Sequence, residues 1–142
     1  MTRPIQSDGR LHGVVVGCRG HDGRWLMIRR SRAVAAPLRV CFPGGAVEVG
    51  ESLRDAAVRE LREELALDIQ PIRRVWRHDF DDQPLTLWGW LAEMDGRTPR
   101  PDPDEVDEVL WLTDRQLDEH PDVLPYTDLF HAALLDAEAG RR

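Results

Sequence analysis

Apolar positions along the chain fall into short runs that alternate with polar segments containing Gly and Pro. Runs rich in Val, Leu and Trp and bounded by turn residues are typical of strands. They predict strands at 11–19, 24–30, 40–42, 72–80, 84–94 and 106–112, with loops at 31–39 and 95–104. Strands interleaved with a few helices predict a single domain with a mixed α/β sandwich.

Segment 52–67 carries a helical period instead, and Ser52 is placed to cap its N-terminus. One apolar stripe consists of residues four positions apart, namely Leu53, Ala57, Leu61 and Leu65. A second amphipathic helix is predicted at 126–139.

Acidic residues enter the apolar stripe of the 52–67 helix. On a helical wheel Glu64 falls inside the stripe, Glu60 lies at its edge and Glu63 lies on the flank. Two carboxylates at i, i+4 on the protein side of a helix repel each other unless a cation neutralises them. Oxygen ligands without His or Cys favour Mg²⁺ or Mn²⁺. The alternative is a charged helix whose Glu residues pair with Arg59 and Arg62, and the helix alone does not decide between the two.

The segment before the helix, Phe-Pro-Gly-Gly at 42–45, adds a flexible backbone beside further carboxylates. Together with the helix it resembles the Nudix hydrolase box over 45–67. The matching positions are Gly45, Glu51, Arg59, Glu60, Leu61, Glu63, Glu64 and Leu67. The departure is Ala66, where the family usually has Gly; a left-handed conformation there would cost Ala about 1 kcal/mol.

The resemblance implies a Nudix-type α-β-α sandwich with a mixed sheet over 11–139, preceded by a flexible segment at 1–10. Members of this family hydrolyse a nucleoside diphosphate linked to another group, using Mg²⁺ or Mn²⁺. The implied metal ligands are Glu60 and Glu64, helped by Glu63 and by the backbone carbonyl of Gly44.

The resemblance also implies catalytic roles around the metal. Arg59 would orient the acidic cluster with Glu51 as its partner. Family members differ over the carboxylate that takes the proton from the attacking water. Here Glu63 is one candidate, and Glu105 and Glu108 are candidates on a distal segment, with Glu108 preferred of the two. An acidic, solvated loop is the alternative for both distal residues.

Substrate contacts are less well marked in the sequence. Arg29 and Arg30 end a strand that leads toward the box and could bind phosphates; an exposed Arg pair is the alternative. Aromatic residues could stack on a nucleobase, although aromatic residues in strands more often belong to the core. The candidates are Trp88, Trp90, Phe80 and Tyr126.

Charge and hydropathy limit the partners. Nineteen basic and 26 acidic residues give a net charge of −7, which argues against partners such as nucleic acid or an anionic membrane surface. Neither a signal peptide nor an apolar run long enough to span a bilayer is visible, so we expect a cytoplasmic location. A homodimer is possible.

The leading functional hypothesis is a metal-dependent pyrophosphohydrolase acting on a MutT-like (deoxy)nucleoside triphosphate. The alternative substrate is ADP-ribose or a nucleotide sugar. A Nudix-fold sensor that binds a nucleotide without cleaving it belongs to another class, and it has no need for the intact acids at 60, 63 and 64.

Overall fold

The computed structural model describes residues 5–140, and this part of the chain contains seven strands and three helices. The strands are β1 Leu11–Cys18, β2 Trp25–Arg30, β3 Val40–Cys41, β4 Gly44–Ala46, β5 Ile69–Asp79, β6 Leu85–Met94 and β7 Val106–Leu112. The helices are α1 Leu53–Leu65, α2 Asp114–Glu119 and α3 Thr127–Ala139.

The strands form one layer between helices. A four-stranded mixed sheet has the order β4-β1-β6-β5, with β1 and β6 parallel, and a three-stranded antiparallel sheet has the order β3-β2-β7. The Val16 N–H donates to the Pro43 carbonyl at 2.9 Å and joins the two sheets. The predicted α-β-α sandwich with a mixed sheet is thereby confirmed.

Alternate residues of the strands pack against helices on opposite faces. Val14 and Val16 belong to the cluster that contains Leu61 of α1, whereas Val15 belongs to the cluster that contains Phe130 of α3. These two apolar clusters fix α1 and α3 on the two sides of the sheet layer.

Helix α1 begins after Ser52 as its sequence indicates, but it ends at Leu65, earlier than the expected end at residue 67. The Ser52 hydroxyl accepts the Asp55 N–H at 3.1 Å. Ala66 ends the helix in the left-handed conformation, with φ 55°, and its N–H donates to the Arg62 carbonyl. The residue that departs from the family box thus adopts a conformation that favours Gly.

Three elements differ from the sequence-based expectation. β4 is a separate strand, which Gly44 and Gly45 do not signal because Gly is depleted in strands. β5 begins before Pro71, which an edge strand tolerates. The short helix α2 was not predicted, although Thr113 and Gln116 form a capping box that signals its start.

Two residues near the N-terminus are hydrogen-bonded to the rest of the domain. Residues 1–4 of the expected flexible segment 1–10 lie outside the described residues, whereas Gln6 and Arg10 hydrogen-bond to Val47 and Leu85. Between residues 5 and 140, no helix is both long and apolar enough to cross a membrane.

Candidate active site

Two glutamates of α1 close on the glycines of β4. Glu60 and Glu64 are only 9% and 5% exposed, and the Gly44 N–H donates to Glu64 Oε1 at 3.2 Å. A Cβ on Gly45 would overlap the Glu60 carboxylate, and a Cβ on Gly44 would overlap the Val14 carbonyl. Gly45 is therefore required because α1 approaches β4 so closely, and Gly44 is required because β4 lies so close to the backbone of β1.

Burial makes both carboxylates hard to ionise. It raises the pKa of Glu60 to about 7, against the opposing effect of Arg59. Burial and the nearby charges of Glu60 and Glu105 together raise the pKa of Glu64 to about 8, although the hydrogen bond from the Gly44 N–H lowers it. The helix thus holds two adjacent acids whose ionisation calls for a cation.

Arg59 lies at the centre of the acids around α1. It donates to both carboxylate oxygens of Glu51 at 2.8 and 2.9 Å, to Glu60 at 2.9 Å and to Glu63 at 3.1 Å. It also donates to the Ala46 carbonyl at 2.8 Å, which ties α1 to β4. Pairing of the glutamates with Arg59, weighed above as an alternative to metal binding, occurs for Glu60 and Glu63 but not for Glu64.

The donor set fits a hard divalent cation. Within the described range 5–140, no three His, Cys, Asp or Glu side chains are grouped closely enough to hold a metal by themselves. Mg²⁺, however, is commonly bound by one or two carboxylates and completes its shell with water and substrate phosphates. Glu60 and Glu64 supply that pair, whereas the Glu63 side chain is 59% exposed on the flank.

Of the two distal acids, Glu105 lies within electrostatic range of the cluster. Its charge acts on Glu60 and Glu64, and its own pKa is raised by desolvation and by neighbouring acids. Glu108 instead accepts Arg29 Nε at 3.0 Å. The geometry favours Glu105, contrary to the preference for Glu108 drawn from the sequence.

The two acids also differ in their place relative to the strand pairing, because Glu105 precedes β7 whereas Glu108 lies within it. In the β2–β7 ladder Arg29 lies opposite Glu108, but Arg30 lies opposite Val106, so the register shifts between neighbouring residues. A bulge re-aims side chains locally and is not visible in the spacing of the acids.

The two candidate arginines point to different surroundings. Arg29 donates from Nε to Glu108 and from Nη1 to Asp122 at 2.9 Å and to the Leu38 carbonyl, so two of its three guanidinium nitrogens are already engaged. Arg30 forms no ion pair with any residue of the described chain, and its charge acts on Glu64 and Glu105. Arg30 is the better placed of the two for a phosphate.

The aromatic candidates lie on two different faces of the strand layer. Trp88 and Trp90 pack against the cluster on the α1 face; Trp88 lies under Arg74 and Arg77, and its Nε1 donates to His12 Nδ1. Tyr126 and Phe80 lie on the α3 face. They are joined there by Trp76, which stacks on Tyr126 at 5.9 Å and which the sequence did not single out.

Tyr126 connects this aromatic group with the acids. Burial raises the pKa of its hydroxyl, and the charges of Arg30 and Glu64 act on it. Tyr126 therefore lies on the α3 side of the strand layer, opposite Trp88 and Trp90, and within electrostatic range of Arg30 and Glu64.

Comparison with known proteins agrees with this fold and identifies the family. The family model described as NUDIX domain matches residues 10–133. The chain is 34% identical over 77 residues to an 8-oxo-dGTP diphosphatase of Escherichia coli, which covers 53% of this chain and 60% of that one. It is 30% identical over 133 residues to an uncharacterized Nudix hydrolase of Rhodococcus erythropolis, covering 82% and 70%.

A solved structure shows the same fold over the full length. A MutT protein from Methanosarcina mazei superposes with a TM-score of 0.75 at 17% identity and covers 100% of this chain and 99% of that one. The fold and the acidic site define a Nudix-type hydrolase domain, as the box indicates. This chain belongs to the Nudix hydrolase family.

Proposed function

We propose that this protein is a divalent-metal-dependent pyrophosphohydrolase and that its substrate is a MutT-like (deoxy)nucleoside triphosphate. The observation that carries the proposal is the buried pair Glu60 and Glu64 beside the Gly44–Gly45 backbone. A sensor that only bound nucleotide would gain nothing from a buried carboxylate pair in which Arg59 compensates Glu60 and no described residue forms an ion pair with Glu64. The similarity to the 8-oxo-dGTP diphosphatase supports the choice of a nucleoside triphosphate.

Glu60 and Glu64 would hold Mg²⁺ or Mn²⁺, with Glu63 and the Gly44 carbonyl completing the ligand set. When bound, the metal supplies charge neutralisation for the phosphates and activation of water. Glu51 fixes Arg59, which in turn fixes the orientation of Glu60.

The remaining residues bind the substrate and accept the proton of the attacking water. Arg30 binds a phosphate, and Tyr126 with Phe80 provides an aromatic surface for the base. The Glu105 carboxylate takes the proton of the attacking water, whose oxygen forms a bond to phosphorus while the bridging P–O bond breaks. The departing phosphate group leaves with the bridging oxygen.

A substrate panel tests the proposal. Purified protein is incubated with dNTPs, oxidised dGTP, ADP-ribose, UDP-glucose and dinucleoside polyphosphates, with Mg²⁺, with Mn²⁺ or with EDTA, and products are separated by chromatography. We expect metal-dependent cleavage of nucleoside triphosphates and none by the Glu64→Gln variant. Cleavage confined to ADP-ribose or UDP-glucose would move the assignment to a nucleotide-sugar pyrophosphatase. Thermal stabilisation by a nucleotide without any cleavage would indicate a sensor.

A further inference from the structure

Ser31 is a buried polar residue that directly follows β2 and Arg30. It is 6% exposed and has its hydrogen-bonding groups engaged. Its hydroxyl donates to the Asp104 carbonyl at 2.7 Å, and its N–H donates to the Glu105 carbonyl at 3.0 Å. The hydroxyl oxygen also accepts the Ala33 N–H at 3.2 Å.

These bonds hold the two peptide groups on either side of the Glu105 Cα. Fixing both peptide planes restricts φ and ψ of the residue between them, and φ and ψ set the direction of its Cα–Cβ bond. Ser31 thereby fixes the direction in which the Glu105 side chain leaves the backbone.

The same loop is anchored to α1 on its other side. The Asp102 N–H donates to the Glu64 carbonyl at 2.9 Å, the Arg100 N–H to the Leu65 carbonyl at 2.8 Å, and the Glu105 N–H to the Asp102 carbonyl at 3.1 Å. The α1 anchor and the Ser31 anchor together set where Glu105 stands relative to Glu64.

Repulsion by neighbouring acids explains why the backbone of Glu105 has to be held by hydrogen bonds. Glu60, Glu63 and Glu64 all repel it, and so do Asp102 and Asp104 within its own loop. Among the charges acting on Glu105, Arg30 is the attractive one. Side-chain charges alone would therefore drive Glu105 away from the Glu60–Glu64 pair.

We propose that Ser31 is a positioning residue that holds Glu105 against the Glu60–Glu64 pair through hydrogen bonds to the carbonyls of residues 104 and 105. This inference rests on the proposed function, in which Glu105 takes the proton of the attacking water. Because Ser31 is the residue after Arg30, it also fixes the distance between the phosphate-binding arginine and that carboxylate.

The test compares Ser31→Ala with Ser31→Thr, which keeps the hydroxyl, and with Thr113→Ala, which removes a capping hydroxyl at α2. With dGTP and Mg²⁺ we expect kcat to fall about tenfold or more in Ser31→Ala while KM changes less than about twofold, since misplacement of a reacting group affects the chemical step. Ser31→Thr should restore kcat to within about threefold, and Thr113→Ala should leave it unchanged.

Hydrogen exchange of the metal-free protein supplies a readout that does not depend on activity. The amides of Asp104, Glu105 and Val106 should exchange at least about fivefold faster in Ser31→Ala than in the wild type or in Thr113→Ala. Unchanged exchange in this segment would overturn the anchoring role.

A double mutant separates positioning from a general structural effect. If Ser31 acts through Glu105, then Ser31→Ala causes no further loss of kcat in a Glu105→Gln background. An active wild type with fully additive losses overturns the role of Ser31 and leaves the proposed function standing. A wild type that cleaves no nucleotide of the panel overturns the proposed function, and with it the catalytic role of Ser31.

Discussion

The substitution Glu64→Gln should make the metal-free protein more stable at alkaline pH. In the folded chain the pKa of Glu64 is raised from 4.5 to about 8, because the carboxyl group is buried beside Glu60. The folded chain therefore retains a proton that the unfolded chain has released, and stability falls as pH rises from about 4.5 to about 8. Gln keeps an oxygen that accepts the Gly44 N–H but carries no charge.

The size of the stability change follows from how far the pKa of Glu64 is raised on folding. At 1.36 kcal/mol per pKa unit, a rise from 4.5 to about 8 corresponds to at most about 5 kcal/mol at pH 8.5. The new amide N–H₂ group lacks an assured partner, which costs about 1–3 kcal/mol at any pH. The amide cost is the same at both pH values and cancels when they are compared. We therefore expect the difference in unfolding free energy between Glu64→Gln and wild type to shift by a few kcal/mol in favour of Glu64→Gln from pH 5 to pH 8.5.

Urea unfolding in EDTA at pH 5 and pH 8.5 measures this change, and calorimetry should show it as roughly 2–4 °C of Tm per kcal/mol. Glu63→Gln is the matched control on the same helix; its side chain is 59% exposed, and we expect a change below about 1 kcal/mol. A gap between wild type and Glu64→Gln that is independent of pH would refute the reasoning.

Metal addition completes the experiment. Mg²⁺ or Mn²⁺ at a hundred times its Kd should stabilise the wild type by about 2.7 kcal/mol at pH 8.5. Glu64→Gln should lose most of this stabilisation, since it lacks one of the two buried carboxylates. Equal stabilisation of both proteins would place the metal elsewhere.

Four further substitutions test other parts of the site and its helix. Glu105→Gln should lower kcat about 100-fold or more because it removes the proton acceptor, whereas Glu108→Gln should stay within about threefold of wild type, and equal losses in steady-state kinetics would contradict this distinction. Gly45→Ala should abolish turnover, since the added Cβ overlaps the Glu60 carboxylate; wild-type rates in the same assay would show that the overlap is harmless. Ala66→Gly should raise the free energy of unfolding by about 1 kcal/mol, because Ala66 has φ 55°, and an unchanged urea midpoint would argue against strain there.

Local sequence determined the elements and the acidic helix face. The four-residue spacing in α1 and the Ser52 cap depend on neighbours within one or two turns, so they can be predicted from the chain alone, whereas the left-handed end at Ala66 was not predicted. The same spacing placed Glu60 and Glu64 on the protein side of α1, where the structure buries them. A long, specific box then indicated the family before any fold was known.

Tertiary structure decided which residues gather around those acids. The pairing of β2 with β7 set Glu108 opposite Arg29, and backbone hydrogen bonds from Arg100 and Asp102 brought the loop of Glu105 to α1. Packing on the two faces of the strand layer put Trp88 on the α1 side and Tyr126 on the α3 side. Strand register and helix docking join residues that are far apart in sequence, and the spacing of residues along the chain carries no record of either.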